Sequence, residues 1–343
     1  MSRFEKSENH FHYRISKPIE FITINLLICE ISFFFVKMRP LSEIKDNPKQ
    51  FIGLTSLKLD EFENILLVFS PLWEKYYKYH DLKGANRKIP KLKEDMRSSL
   101  FGTELKLFFL LYCLKNNGLQ EHNAFAFDLS QSKLSQWLKI LLPILEQSLK
   151  KLGTLPARTQ EELDKRVNLL KEELFWLDAT EREIPRPKDK ETQKESYSGK
   201  KHKNTVKNTI LSLQSQEIVF LGMTQEGSNH DITILREDEI SLPKNSNLFQ
   251  DLGYVGHQPK DVFIIMPEKK PKFKELTDLQ KFNNSLISSC RIIVEHTISG
   301  IKRLRSVMDE IRLRTYDIVD KIILIACGLH NLRVKCRPAY QLS

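Results

Sequence analysis

The chain lacks cysteine in any useful pattern. Its five cysteines, Cys29, Cys113, Cys290, Cys327 and Cys336, are an odd number and include no Cys-x2-Cys pair. That excludes a zinc knuckle and a disulfide framework and fits a reducing compartment. Long apolar runs are missing too. Residues 21–36 come closest, but Asn25 and Glu30 interrupt them, and a spanning helix needs about 20 apolar residues. No small-residue cleavage site follows. The stretch is either a buried helix or part of an upstream extension, residues 1–37, with Met38 as the natural start. No internal repeat or low-complexity block is present. Acids are in deficit: 44 Asp and Glu against 54 Lys and Arg leave a net charge of +10 and a pI near 9.2. Such a surplus suits a phosphate-rich partner, because fixed cations release condensed counterions on docking.

What remains is an ordinary globular composition, 41% hydrophobic and 29% charged over 343 residues, enough for two domains. Residues 41–149 have a helical pattern. Leu57, Leu59, Phe62, Ile65, Leu66, Phe69 and Leu72 recur at steps of three and four. A basic connector, residues 83–93, has Gly84 and Pro90 and reads as exposed. Residues 103–117 predict a core helix ended by Gly118. Two shorter helices follow, parted by Asp128-Leu129-Ser130, with Ser130 a good N-cap. In the second, Leu134, Trp137, Leu138 and Leu141 form an apolar stripe, with Gln131, Lys133, Gln136 and Lys139 mostly off it. This is either a helix-turn-helix that carries Gln131, Lys133 and Gln136 to DNA or a plain helical hairpin. A charged, Pro-bearing linker leads to strand-like runs at 174–177, 204–213, 217–223 and 262–266. Three strands, a short helix after Asp231, a strand ending near Asp251 and closing helices predict an α/β domain.

Several residues in that second half have chemical promise. Arg291, Glu295 and Lys302 are spaced by four and seven residues, which places them on one helix face. A carboxylate flanked by cations suits a metal-binding acid beside a polyanion, although salt-bridged helices give the same steps. Asp178 follows the apolar Leu174-Phe175-Trp176-Leu177, where a charge often only marks a strand surfacing. Asp231 and Asp251 are rival second acids; Asp251 is either such a ligand or a plain turn Asp before Gly253. Two-metal phosphoryl transfer needs such carboxylates to converge from different elements.

Arg291-x3-Glu295-x6-Lys302 resembles the last catalytic block of bacterial insertion-sequence transposases, DDE superfamily endonucleases of the insertion-sequence-5 type with a Harbinger-like domain. Asp178 through Arg182, Ile184, Arg186 and Pro187 to Gln193-Lys194-Glu195-Ser196-Tyr197-Ser198-Gly199-Lys200-Lys201 resembles the first block. Gly227-Ser228-Asn229-His230-Asp231 resembles a Gly-x2-His-Asp element, and Asp251-Leu252-Gly253-Tyr254 an Asp-x-Gly-aromatic block. Ala326 to Arg333 resembles the C-terminal block; it lies on an apolar helix, where packing is its expected role. Ser288, Asn204 and Ala179 depart from the usual Tyr, His and Gly. The resemblance starts near Met38, which favours reading residues 1–37 as an extension.

The resemblance implies an α/β fold: a ribonuclease-H-like catalytic domain, a mixed sheet with flanking helices, preceded by an all-α helix-turn-helix region. The expected organisation is an extension at 1–37, a helical DNA-binding region at 38–152 with its helix-turn-helix at about 103–142, a linker at 153–173 and the catalytic domain at 174–337. In a ribonuclease-H-like sheet the second metal ligand follows the fourth strand, which favours Asp251 over Asp231. Asp178, Asp251 and Glu295 would then hold two Mg2+, with Mn2+ as a substitute. Arg291, Lys302, Arg182, Lys200, Lys201, His230, Gln131, Lys133 and Gln136 would contact DNA. The implied activity is cleavage at terminal inverted repeats and strand transfer to target DNA, by a homo-oligomer associated with the bacterial nucleoid in the cytoplasm and with no membrane partner. The alternatives are an inactive or domesticated transposase that only binds DNA, and a cellular ribonuclease-H-like nuclease.

Overall fold

The computed structural model describes residues 38–170, 173–312 and 316–337; the expected extension lies outside them. From Arg39 onward the chain forms one unit. Its first part is helical: α1 (Leu41–Lys45), α2 (Pro48–Thr55) and α3 (Leu59–Tyr79). Asn47 caps α2 by accepting from the Gln50 amide at 3.1 Å, and Pro48 at the first turn needs no donor. Phe62, Ile65, Phe69 and Leu72 of α3 are buried, as the three-four spacing predicts. The connector at 83–93 is largely exposed.

Helix α4 (Thr103–Asn116) ends on Asn117, whose φ of 48° is the left-handed stop, one residue before the expected Gly118. Next come α5 (Gln120–Ala126), a turn, and α6 (Gln131–Lys151). Ser130 caps α6, accepting from the Lys133 amide at 3.4 Å. Beyond its first turn α6 is a core element, with Leu134, Trp137, Leu138, Leu141 and Leu145 buried against α3, α4 and α5. The stretch expected as a linker is built into the fold. The Ala157 amide donates to Val219 and its carbonyl accepts from Leu221, while Leu163 and Val167 of α7 (Gln160–Leu170) join the core under the sheet.

That sheet centres on β1 (Leu174–Glu183). Along its whole length β1 pairs antiparallel with β3 (Lys203–Leu213), from Phe175↔Leu213 to Glu183↔Thr205. On the other side of β3 lies β4 (Ile218–Leu221), also antiparallel; β2 (Tyr197–Ser198) and β5 (Gln225–Glu226) are short pairs on β3. On the other side of β1, β6 (Ser246–Phe249) runs parallel to it, and β7 (Val262–Ile265) parallel to β6. The apolar run at 174–177 thus forms only the first half of a longer strand. Its polar half, from Asp178, owes its extended form to pairing with β3 rather than to its own hydrophobicity, so Asp178 lies within β1 instead of at its end.

Between these strands lie α8 (Lys190–Ser196) and α9 (Asp231–Asp238). Helix α10 (Asp278–Ile301) crosses β1, with the Trp176 indole donating to the Cys290 carbonyl at 3.0 Å. After the short α11 (Arg305–Met308), α12 (Tyr316–Lys335) packs on α10 and α6. Asn331 of α12 accepts from the Ile218 amide and donates to the carbonyls of Thr154 and Ile218, each at 2.8 Å. Arg333 donates to the carbonyls of Ser56 and Gly300. The C-terminal block is therefore a packing element. No described helix is long and apolar enough to cross a membrane.

Candidate functional site

Strand register assembles the acids. β1 and β6 run parallel with Trp176 opposite Phe249. The ladder ends there; two residues further on, Asp251 stands where the chain turns into the 3-10 turn Leu252–Tyr254, close enough to Asp178 in β1 for its charge to act on that carboxyl. Adjacent strands lie about 4.8 Å apart, and the space outside the carboxyl end of a strand at a change of sheet direction is a common ligand site. β1 is that point of change, antiparallel to one neighbour and parallel to the other. Asp231, the first residue of α9, reaches the same turn: a Cβ on Gly253 would meet its Oδ2 at 3.5 Å.

Cations lie between these acids. Arg291 of α10 donates through Nη1 to Asp251 Oδ1 at 3.3 Å. Lys207 of β3 pairs with Asp231 at 3.1 Å. Burial pushes the Asp178 carboxyl above its ordinary pKa; the Ala179 amide and Arg291 oppose this, while the charges of Asp251 and Asp231 add to it. Lys302, just past α10, belongs to the same field. Burial and neighbouring Lys201 lower its pKa, against the pull of Asp178 and Glu181.

The expected residues divide by location. Asp178, Asp231, Asp251, Arg291, Lys302 and Lys201 share one neighbourhood. Glu295 is exposed one turn beyond Arg291 and makes no ion pair among the described residues. Lys200 and His230 are exposed, as are Gln131 and Lys133; Gln136 is half-buried. Gln131 donates to Gln120 of the preceding helix at 2.8 Å. Arg182 corrects an expectation. It is only 1% exposed and donates to the Val319 carbonyl, Asn208 and Thr224, so its guanidinium ties β1 to α12 and β3 and does not face DNA. The strand period of two puts it on the face of β1 shared with Trp176 and Asp178, which the closing helices cover.

Two members of the neighbourhood escaped the sequence reading. In the sequence Lys207 is one of several cations in a stretch dense in Lys and Arg from Glu181 onward, and only the place of β3 brings it to Asp231. Tyr254 closes the Asp251-Leu252-Gly253-Tyr254 run, whose sequence assigns it no chemistry. It is 1% exposed, its hydroxyl has no hydrogen-bond partner among the described residues, and burial followed by the charge of Asp178 raises its pKa well above the ordinary value. The spacing from Asp251 was the available signal.

The acids offer hard oxygen donors of the kind Mg2+ takes, and Asp178, destabilised as an anion beside two other acids, is one that a cation would stabilise. The donor set therefore fits a divalent ion. Among the described residues no three His, Cys, Asp or Glu side chains already converge as a metal cage; at Asp251 the cation is Arg291.

Residues 177–331 match the model of a family described as DDE superfamily endonuclease. Over 161 residues the chain is 31% identical to a protein of Microchaete diplosiphon described as a probable transposase for insertion sequence element IS702, a match covering 47% of this chain and 57% of that one. The chain thus spans little more than half the length of that relative. No solved structure matches it.

Proposed function

We propose that this chain is an insertion-sequence transposase, of insertion-sequence-5 type, which cleaves DNA at terminal inverted repeats and transfers the cut strand to target DNA. The observation that supports the reading is the nearness of Asp178, Asp231 and Asp251, the latter two acting on the Asp178 carboxyl, with Arg291 reaching Asp251 from α10. Strands β1, β3 and β4 antiparallel, then β6 and β7 parallel to β1, in the order β4-β3-β1-β6-β7, support a ribonuclease-H-like sheet. The place of Asp251 directly after β6, the strand parallel to β1, favours it as the second acid, with Asp231 engaged by Lys207 in support.

Asp178, Asp251 and Glu295 are the residues that would hold two Mg2+, or Mn2+ in their place. When bound, the ions would activate water and neutralise charge on the phosphate. The protein's share is placement. Arg291 and Lys302 flank Glu295 along α10 and would bind phosphate oxygens on either side of the scissile bond. Lys200 and Lys201 extend that track, and His230 is exposed beside Asp231. The helix-turn-helix reading rests on the short turn between α5 and α6 and on the exposed first turn of α6, where Gln131 and Lys133 with Gln136 would meet DNA; deeper residues of α6 are committed to the core. The natural setting would be a homo-oligomer on DNA at the nucleoid.

Mg2+-dependent nicking of end-containing DNA by the purified chain tests the reading. Asp251→Ala is expected to abolish nicking and leave end binding nearly intact. If Asp231→Ala does this and Asp251→Ala does not, the second acid is Asp231. End binding by the wild type without nicking would make it a DNA-binding descendant of a transposase.

A further inference from the structure

The segment that leaves β1 builds a groove that the reading above does not use. It has a volume of about 720 Å3, and its walls carry Arg186, Lys190, Lys194, Tyr197, His202 and Lys203. No carboxylate lines it. This sorting is local: Lys190, Lys194 and Tyr197 recur at steps of four and three and share one face of α8 and its exit, whereas Glu191 and Glu195 fall off it. Nearby acids are otherwise engaged. Glu183 holds Lys203 at 2.7 Å, and Asp189 caps α8 through the Thr192 amide at 2.8 Å.

The walls are fixed. Tyr197 pairs with Asn204 in the β2–β3 ladder, and the Asn204 amide donates to the Gln193 carbonyl and Ser196 Oγ at 2.9 and 2.8 Å. Arg186 is held by Gln193 Oε1 at 2.9 Å. Between these cations the Tyr197 residue is 46% exposed. An exposed aromatic face beside Arg186, Lys190 and Lys194 is the composition that takes a phosphate chain with unstacked bases; a duplex offers no base face to such a ring. Lys201, between Tyr197 and Lys203 in the chain, is within electrostatic reach of Lys302.

We propose that this groove binds an unpaired DNA strand, with phosphates on Lys190 and Lys194 and a base stacked on Tyr197. The inference rests on the proposed role in DNA cleavage for the strand's origin, and its test is independent of cleavage. Full-length protein would be titrated by fluorescence anisotropy with a labelled oligothymidylate and with a duplex of equal length, without metal. Tyr197→Ala is expected to weaken single-strand binding roughly five- to hundredfold with duplex binding unchanged, and Tyr197→Phe to restore it. Lys190→Ala with Lys194→Ala should lower the slope of log affinity against log salt by about 1.4. Unchanged single-strand affinity in Tyr197→Ala, equal loss for both DNAs at an unaltered melting temperature, or equal competition by polyglutamate would overturn the proposal. Tyr197-dependent strand binding in a chain that never nicks DNA would sink the nuclease reading and leave the groove; nicking without that dependence would sink the groove alone.

Discussion

Asp178 is placed where its charge is disfavoured, and the consequence is measurable. Because folding raises its pKa, the folded state binds this proton more tightly than the unfolded chain does. Its ionisation therefore costs stability above the folded pKa, and the cost fades as pH falls toward the ordinary carboxylate value of about 3.9. Asp178→Asn is expected to raise the melting temperature of the metal-free protein at pH 7, with the advantage disappearing toward pH 4. A variant no more stable than wild type at neutral pH would mean that Arg291 fully compensates the acid. Mg2+ should raise the melting temperature of the wild type and not of the variant. Lys302 is the complementary case, a cation held in a partly buried site beside Lys201. Lys302→Ala should weaken end binding and reduce the salt slope by about one. Unchanged salt dependence, with cleavage intact, would leave Lys302 as a bystander.

At the scale of elements, α10 links chemistry to packing. Glu295 is exposed on it and half-buried Arg291 reaches Asp251, while Val294, Thr297, Gly300 and Ile301 are buried. Gly300 is needed for close approach: a Cβ there would lie 2.2 Å from His330 Nδ1 of α12. The imidazole is not free to swing away, since its Nε2–H donates to the Gln216 carbonyl at 2.8 Å. Gly300→Ala is therefore expected to cost about 1–3 kcal/mol, read as a lower melting temperature by calorimetry. A neutral result would show that α10 and α12 slide apart easily. The site should feel the change too, because Arg291 and Lys302 ride on the same helix and its end.

For the whole molecule, the helices before the sheet and those after it share one core. Arg333 near the end of α12 holds the Ser56 carbonyl after α2, and Lys321 of α12 pairs with Glu146 of α6 at 2.5 Å. The described core runs from Ile44 to Leu332. Because the resemblance to insertion-sequence transposases starts near Met38, a chain started there is expected to fold and bind DNA as the full chain does; aggregation on expression would place residues 21–36 in the core.

Periodicity and local chemistry were legible in the residues themselves. The four-and-seven spacing of Arg291, Glu295 and Lys302 follows from helical geometry, the Ser130 cap from its side-chain oxygen, and the strands at 204–213 and 262–266 from their apolar, β-branched content, because each depends on neighbours a few positions away. The tertiary structure decided what depends on distant pairing. Only the pairing of β6 with β1 brings Asp251 near Asp178, and only the place of β3 in the sheet brings Lys207 to Asp231. Arg182 shows the limit most clearly. Its place four residues after Asp178 could be read from the chain, but whether that face of β1 met water or α12 was set by helices more than a hundred residues away, whose packing no local pattern encodes.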